Sequence, residues 1–161
     1  MSQNDGSDAP NRSILVPTDG SDAAEAALER ALRFADCEGA TVHVLSVVDT
    51  TANPMRFGVA EVAELYRART ELVDGIVDAC GGRTSGFEVR GAVRRGRPTA
   101  TILEYAEEHG IDLLVVGRTG RGDVADALLG STADRLVRQA PIPVVVVPTG
   151  DGSDDRSCGA E

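Results

Sequence analysis

Residues 113–140, LLVVGRTGRGDVADALLGSTADRLVRQA, contain the clearest structural signal in the chain. The segment opens with the apolar run Leu113–Val116 and continues through a glycine-rich loop. In the helical pattern that follows, apolar residues recur at intervals of three and four: Ala133, Leu136, Val137 and Ala140. This order predicts a buried strand, a turn that brings main chain close to a neighbour, and an amphipathic helix.

The same alternation of strand and helix extends outward over the rest of the chain. The predicted strands are Ile14–Val16, Val42–Val48, Phe87–Val93, Leu113–Val116 and Val144–Val147, with a helical pattern in each interval. Gly39 and Gly110 stand where helix C-caps are expected, and Pro98 suits the first turn of the third helix. Strict alternation predicts a parallel sheet with helices on both faces. Ligands of such sheets bind beyond the carboxyl ends of the strands, where the strand order reverses.

The length of 161 residues suits one domain with a substantial core. The two ends of the sequence, residues 1–11 and 150–161, are polar and acidic, and we predict that both are disordered tails around a domain at 12–149. Neither a signal peptide nor an apolar run of membrane-spanning length is recognisable, so we expect a cytoplasmic protein.

The charge balance excludes two classes of partner. Asp and Glu number 26 against 16 basic residues, every one of them Arg, and the net charge is −10. A surface of this sign repels nucleic acid and anionic membranes, so neither is expected as a partner. We interpret the acidic excess as adaptation to a high-salt (halophilic) cytoplasm, because biased base composition explains the absence of Lys but not the excess of acid.

Cysteine and histidine give no sign of a metal site. Cys37, Cys80 and Cys158 form no C-x-x-C pair, and the first two fall at the ends of apolar helical patterns, where we predict small core residues. His43 and His109 each lack a nearby Cys or His in the sequence, so each is predicted to stand alone and no metal is expected.

Two elements of the opening segment suit a phosphate group. The loop Gly117–Asp123 lets main-chain N–H groups turn inward as an anion nest, and Gly130–Thr132 open a helix whose N-terminus attracts anions. Each has a structural alternative, because Ser131 and Asp134 also form a capping-box pattern and glycine-rich loops occur without ligands. The two together at this spacing favour a ligand.

The spacing Gly117-x2-Gly120-x9-Gly130-Ser131 resembles the G-x2-G-x9-G-[ST] signature of the ATP-binding branch of the universal stress proteins. The segments Ile14–Ser21 and Ala140–Val147 are similar to the first and last strands of that family, and the resemblance covers roughly residues 12–148. It implies the adenine nucleotide α-hydrolase-like fold, a three-layer α/β/α domain with a five-stranded parallel sheet of order 3-2-1-4-5. It also implies a homodimer through the last strand, an apolar edge that needs covering.

The resemblance further implies a ligand and the residues that hold it. The ligand would be ATP, or AMP or ADP, and any turnover of ATP would need Mg²⁺ bridging the phosphates. The implied site residues are Pro17, Thr18, Asp19, Val47, Val116, Gly117, Gly120, Arg121, Gly130, Ser131 and Thr132. Asp19 would accept from the ribose, and the Val47 main chain would contact adenine. The alternatives are an Asx turn or helix cap at Asp19, aided by Ser21, and plain core valines at Val47 and Val116.

The arginines of the chain allow two interpretations. Arg118 and Arg121 suit phosphate oxygens, or else pair with acids such as Asp123 and Asp126. A second cluster after the third predicted strand is interpreted as a solvated loop: Arg94, Arg95 and Arg97.

The expected function is therefore nucleotide binding in stress response or signalling, with a protein partner that the sequence does not identify. No base for an attacking water and no Walker A lysine is recognisable, so no catalytic residue is assigned and hydrolysis is expected to be slow at most. The alternatives are a nucleotide-free interaction module of the same fold and an adenylate-transferring enzyme.

Overall fold

Five strands and four helices alternate along the part of the chain that the computed structural model describes, residues 12–38, 40–51, 58–81, 86–118 and 129–148. The elements are β1 (Ser13–Pro17), α1 (Asp22–Glu38), β2 (Thr41–Val48), α2 (Val59–Gly81), β3 (Glu88–Arg95), α3 (Pro98–Glu108), β4 (Leu113–Gly117), α4 (Ser131–Gln139) and β5 (Val144–Val147). The predicted tails at 1–11 and 150–161 lie outside these residues, so the domain boundaries stay predictions. None of the described helices is both long and apolar enough to cross a membrane.

The sheet is parallel throughout and has the order β3-β2-β1-β4-β5, which confirms the predicted fold. β1 lies at its centre, where Ile14 is opposite Val42 of β2 on one side and Leu113 of β4 on the other. The chain passes from β1 outward to β3 and then crosses back to β4. The order therefore reverses between β1 and β4, and the crevice for a ligand is expected above this pair.

The core has two layers because alternate residues of a strand face opposite sides of the sheet. Ile14 and Val16 face α1, whose alanines at 27, 31 and 35 are fully buried. Leu15 faces the opposite layer, where Ile102 of α3 and Leu136 of α4 are buried. Burial on both faces explains why β1 is apolar from Ile14 to Val16 and why His43 and Ser46 are the only polar residues of β2 after Thr41.

Local signals set the ends of the helices. The Ser21 hydroxyl accepts from the Ala24 N–H at 3.2 Å and so caps α1. Pro98 begins α3, and Gly110 has a φ of 60°, the left-handed conformation typical just past a helix C-terminus. Gly39, for which the same role is predicted, lies outside the described residues. Cys80 is buried, as predicted.

The second arginine cluster is a solvated loop only in part, because Arg97 is exposed between β3 and α3 as predicted, whereas the other two arginines are not in a loop. Arg94 and Arg95 are the last two residues of β3. The Arg94 guanidinium carbon lies 5.1 Å from the centre of the Tyr105 ring, and that of Arg95 lies 4.8 Å from the centre of the Tyr66 ring. Both contacts have the geometry of cation–π interactions, so the prediction is wrong for Arg94 and Arg95.

The two histidines do not stand alone either. The buried His43 ring lies with its Nδ1 2.8 Å from the Tyr105 hydroxyl. His109 stacks on the ring of the same tyrosine, with ring centroids 3.9 Å apart, and its centroid is 5.4 Å from that of His43. β2 and the end of α3 bring these residues together across 66 positions of sequence. No group of three or more metal-ligating side chains within the described residues is arranged to hold a metal.

Close packing of α2 on β3 yields a stability prediction. A Cβ at Gly91 would overlap Val73 Cγ1 and lie 3.0 Å from Val77 Cγ2, and Val73 is 2% exposed. We expect Gly91→Ala to lower the free energy of unfolding by about 1–3 kcal/mol, the usual cost of overpacking a core. Urea denaturation followed by circular dichroism measures the difference.

The matched control for this substitution is Gly75→Ala on α2. No atom lies within 4 Å of a Cβ built there, so the added methyl group is expected to stabilise the helix by about 0.5–1 kcal/mol. If both variants proved equally stable, the close contact between Gly91 and Val73 would not exist in solution.

Candidate functional site

A cavity of about 390 Å³ opens at the carboxyl ends of β1, β2 and β4. Every predicted site residue that the structure describes lines it: Pro17, Thr18, Asp19, Val47, Val116, Gly117, Gly130, Ser131 and Thr132. Gly120 and Arg121 lie outside the described residues. The sequence pattern and the topology thus place these residues around one crevice, at the reversal of the strand order.

A tight turn after β1 fixes the first wall. The Thr18 N–H donates to the Leu45 carbonyl at 2.8 Å, and Gly20 has a φ of 83°. The Ser21 N–H donates to Asp19 Oδ1 at 3.0 Å, so the Asx turn that was open as an alternative is present. A carboxylate can accept several hydrogen bonds, and this turn is therefore compatible with Asp19 also accepting from a ligand hydroxyl.

Gly117, at the end of β4, is required by packing. A Cβ there would lie 2.5 Å from the carbonyl oxygen of Ala23 and 2.6 Å from its carbonyl carbon. Only a glycine lets the first turn of α1 approach β4 this closely. The side chain of Val116, next to it, is 5% exposed and packs in the layer of α3 and α4, which agrees with the core alternative for this valine.

The residues on either side of the segment between β4 and α4 are hydrogen-bonded to each other. The Gly130 N–H donates to the Arg118 carbonyl at 2.7 Å, and the Arg118 N–H donates to the Val147 carbonyl at 2.9 Å. These bonds place Arg118 and the start of α4 side by side on the cavity.

The N-terminus of α4 has no side-chain cap. Gly130 is the N-cap residue, with φ −65° and ψ 161°, and Ser131 is the first helical residue. The capping box proposed as an alternative is thus not formed, because Ser131 lies one position past the cap. Glycine has no side chain to satisfy the first N–H groups of the helix, and these groups lie beside the cavity, where an anion can accept from them.

A wall at the end of β2 was missed by sequence reasoning. Asp49, Leu65 and Arg69 line it. Arg69 Nη1 donates to the Ser46 hydroxyl at 2.9 Å, and Ser46 is fully buried. Asp49 Oδ1 accepts from the Thr51 N–H at 3.0 Å and from the Thr51 hydroxyl at 2.8 Å. The available signal was Ser46, a polar residue inside an apolar strand that needs a partner when buried.

An arginine lies at each end of the cavity, and the lining carboxylates belong to Asp49 at the β2 end and Asp19 between the two ends. Arg118 is at the end of β4 and Arg69 belongs to α2, which packs on β2 and β3. Because β1 separates β2 from β4, these walls are two strand spacings apart, about 10 Å. Asp19 follows β1, between them. The cavity therefore suits an elongated, polar ligand with an anionic group at the α4 end.

Comparisons with known proteins agree with this architecture. Residues 10–148 match the model of the universal stress protein family. A universal stress protein of Methanocaldococcus jannaschii is 31% identical over 139 residues, which cover 84% of this chain and 81% of that protein. The solved structure of the universal stress protein UspA from Lactobacillus plantarum is 33% identical, has a TM-score of 0.74, and covers 87% of this chain and 99% of its own.

A further solved structure shows the same fold at lower identity. It is a universal stress protein in complex with cAMP, 24% identical, with a TM-score of 0.61, and the alignment covers 87% of this chain and 98% of that one. Given the family model, the relatives and the shared strand order, the chain belongs to the universal stress protein family.

Proposed function

We propose that this protein binds an adenine nucleotide, ATP or its relatives AMP and ADP, and acts as a stress-response or signalling module in the cytoplasm. One observation carries the proposal. The N-terminus of α4, which has no side-chain cap, and the carboxylate of Asp19 line the same cavity, where the strand order reverses. The first suits a phosphate and the second suits a ribose.

The phosphate end is built from α4 and the residue after β4. The first N–H groups of α4 and the Ser131 and Thr132 hydroxyls supply donors, and Arg118 supplies a positive charge. Arg121 and Gly120 complete this end in the proposal. Mg²⁺ would enter with the phosphates of ATP, since this ion keeps several waters and needs few protein ligands.

The nucleoside end is more apolar. Leu65, which is partly exposed on α2, lines the cavity and can cover one face of a base. Asp19 would accept from a ribose hydroxyl, and the Val47 main chain would contact the base. The structure in complex with cAMP supports the idea that this fold accommodates an adenine nucleotide.

Hydrolysis is expected to be slow at most. The two carboxylates of the described cavity wall are engaged in turns, Asp19 with the Ser21 N–H and Asp49 with Thr51. Neither is arranged by these contacts to take a proton from an attacking water. Binding, and the bias that it gives to a partner-binding or dimer surface, is therefore the proposed output.

A homodimer through β5 is part of the proposal. β5 is the last strand of the described sheet, and its sequence is Val-Val-Val-Val. Only Val147 is buried, while the other three valines are partly exposed. An apolar edge strand of this kind needs a cover, and a second copy of β5 supplies one.

Calorimetric titration of ATP with Mg²⁺ into the purified protein, at high salt, tests the proposed function. We expect saturable binding, and we expect Asp19→Ala to weaken it at least tenfold because a hydrogen bond to a charged group is lost. Asp22→Ala is the matched control, since Asp22 is exposed in the first turn of α1 and does not line the cavity.

Absence of binding to a folded sample freed of bound nucleotide would reject the proposal. The nucleotide-free interaction module of the same fold would then be the better description. Equal weakening by Asp19→Ala and Asp22→Ala would show that Asp19 makes no direct contact with the ligand.

A further inference from the structure

Three side-chain rings form a cluster where the end of α3 packs on β2. The Nδ1 atom of the buried His43 lies 2.8 Å from the Tyr105 hydroxyl. His109 stacks on the Tyr105 ring, and its Nδ1–H donates to the Tyr105 carbonyl at 3.1 Å. None of the three residues lines the cavity, so the proposed nucleotide contacts do not account for the cluster.

The surroundings of His43 suit a neutral ring and oppose a charged one. In the part of the chain that the structure describes, no group hydrogen-bonds to its Nε2 atom. A proton on both ring nitrogens would therefore leave a charged donor buried without an acceptor, which is costly. On β3, Arg90 lies opposite His43 in the strand register, and Glu88 pairs with Arg90 at 3.0 Å. On β1, the residue opposite His43 is the uncharged Leu15.

Further charged groups face the cluster from β3 and α3. The Arg94 guanidinium carbon lies 5.1 Å from the centre of the Tyr105 ring, and Arg94 Nη1 lies 3.7 Å from Glu108 Oε1. Each arginine near the ring is thus matched by one glutamate, and burial decides the balance. Burial, followed by His109 and Arg90, lowers the pKa of His43 to about 4 against the opposing effect of Glu88.

The end of α3 is the part of this contact that can move. β2 is paired with β1 on one side and β3 on the other, whereas residues 107–109 are exposed. Helix ends open at a lower free energy than the inner strands of a sheet, and such an opening brings water to the His43 ring. Ile102, one turn before Tyr105, lines the cavity, and so does Pro98 at the start of α3. A displaced α3 therefore alters a wall of the cavity.

We propose that the contact between His43 and Tyr105 is an acid-sensitive switch: when His43 takes up a proton, the end of α3 separates from β2 and the cavity loses the wall that α3 provides. The link to the cavity rests on the proposed function, whereas the separation of α3 needs no ligand. Because nucleotide would bind to the closed form alone, bound nucleotide and protonation of His43 oppose each other.

Hydrogen exchange of main-chain amides at pH 7 and pH 5, on the full chain without ligand, tests the separation of α3. A ring that titrates at pH 6.5 when exposed and at about 4 when buried raises the opening equilibrium constant about 20-fold between these pH values. We expect this increase at residues 105–109 of the wild type, after correction for intrinsic exchange rates. It should be absent from His43→Asn, which can still pair with the Tyr105 hydroxyl but does not titrate.

Two further variants control this comparison. His109→Asn removes the exposed histidine of the cluster, leaves the His43–Tyr105 hydrogen bond in place and is expected to keep the pH-dependent increase. Tyr105→Phe keeps the ring and loses the hydroxyl, so exchange at the end of α3 should rise about fivefold already at pH 7. If His43→Asn does not fold, the result for Tyr105→Phe decides the matter, and no rise would overturn the proposal.

Amides of β1 report global unfolding in the same samples. We expect residues 105–109 to exchange faster than the β1 amides at both pH values, because only the end of α3 opens. Equal increases in the wild type and His43→Asn would overturn the switch. Exchange of α3 only together with β1 would overturn it as well.

Bound nucleotide tests the link to the cavity. ATP at 100 times its dissociation constant is expected to slow the exchange of residues 105–109 at pH 5 about 100-fold. If ATP binds and leaves this exchange unchanged, the link to the cavity is wrong and the proposed function stands. If ATP does not bind while α3 still opens with acid in the wild type alone, the proposed function is rejected and the acid-sensitive contact stands.

Discussion

Gly117→Val is expected to lower the free energy of unfolding by about 3 kcal/mol and to abolish nucleotide binding for a reason unrelated to phosphate. The substituted Cβ would lie 2.5 Å from the Ala23 carbonyl oxygen and 2.6 Å from the carbonyl carbon. Because the clash is with main chain, a change of rotamer cannot relieve it. The first turn of α1 must move away from β4, and Asp19, just before that turn, moves with it.

Thermal unfolding and ATP titration on the same samples test this expectation. A loss of this size lowers Tm by roughly 10 °C in a domain of this length. The matched control is Gly75→Val, because a Cβ at Gly75 meets no atom within 4 Å and valine is at least as good a helix former as glycine. A stable Gly117→Val protein that has lost ATP binding would contradict the packing role and would assign Gly117 to the ligand.

Acid is expected to destabilise the protein through His43. Burial, together with the nearby His109 and Arg90, lowers the pKa of His43 from 6.5 to about 4, and Glu88 opposes this shift weakly. In the unfolded chain the ring takes up a proton below about pH 6.5, whereas in the folded chain it stays neutral until about pH 4. Between these values the unfolded state binds more protons, so the free energy of unfolding falls by about 3 kcal/mol as the pH drops from 7 to 4.

Urea denaturation at pH 7, 5.5 and 4 measures this loss, with His43→Asn as the control. The asparagine side chain can still pair with the Tyr105 hydroxyl but does not titrate. Carboxylates contribute their own pH dependence to both proteins, so the difference between the two curves isolates the histidine. Parallel curves for the two proteins would show that His43 is not kept neutral by the fold.

The order of strands and helices was predictable because buried strands have apolar sequences and because particular residues mark the ends of the helices. β1 and β2 are buried on both faces and hence predominantly apolar, and Pro98 and Gly110 mark the ends of α3. The strand order followed from the resemblance and is confirmed. Phe87 was assigned to the third strand, which in the structure begins at Glu88 and extends to Arg95.

Contacts between distant segments were not predictable in the same way. The Arg69–Ser46 hydrogen bond and the His43–Tyr105–His109 cluster join residues far apart in sequence, and neither leaves a periodic pattern. The role of Gly117 could not be predicted for a different reason. A glycine that is needed for close packing and a glycine that is needed to bind a phosphate look the same in a sequence. The role of each predicted residue in binding stays a prediction until nucleotide binding by the protein and its variants is measured.

The two edge strands of the described sheet differ in whether a further strand can pair with them. β3 ends one edge with the sequence EVRGAVRR, whose exposed charged side chains oppose the addition of a further strand. β5 ends the other edge with four valines. In the proposed dimer, two β5 strands would pair about a twofold axis and leave no free β5 edge, so the assembly would close at two chains. The arginines on β3 would then oppose extension of the sheet from the remaining edges.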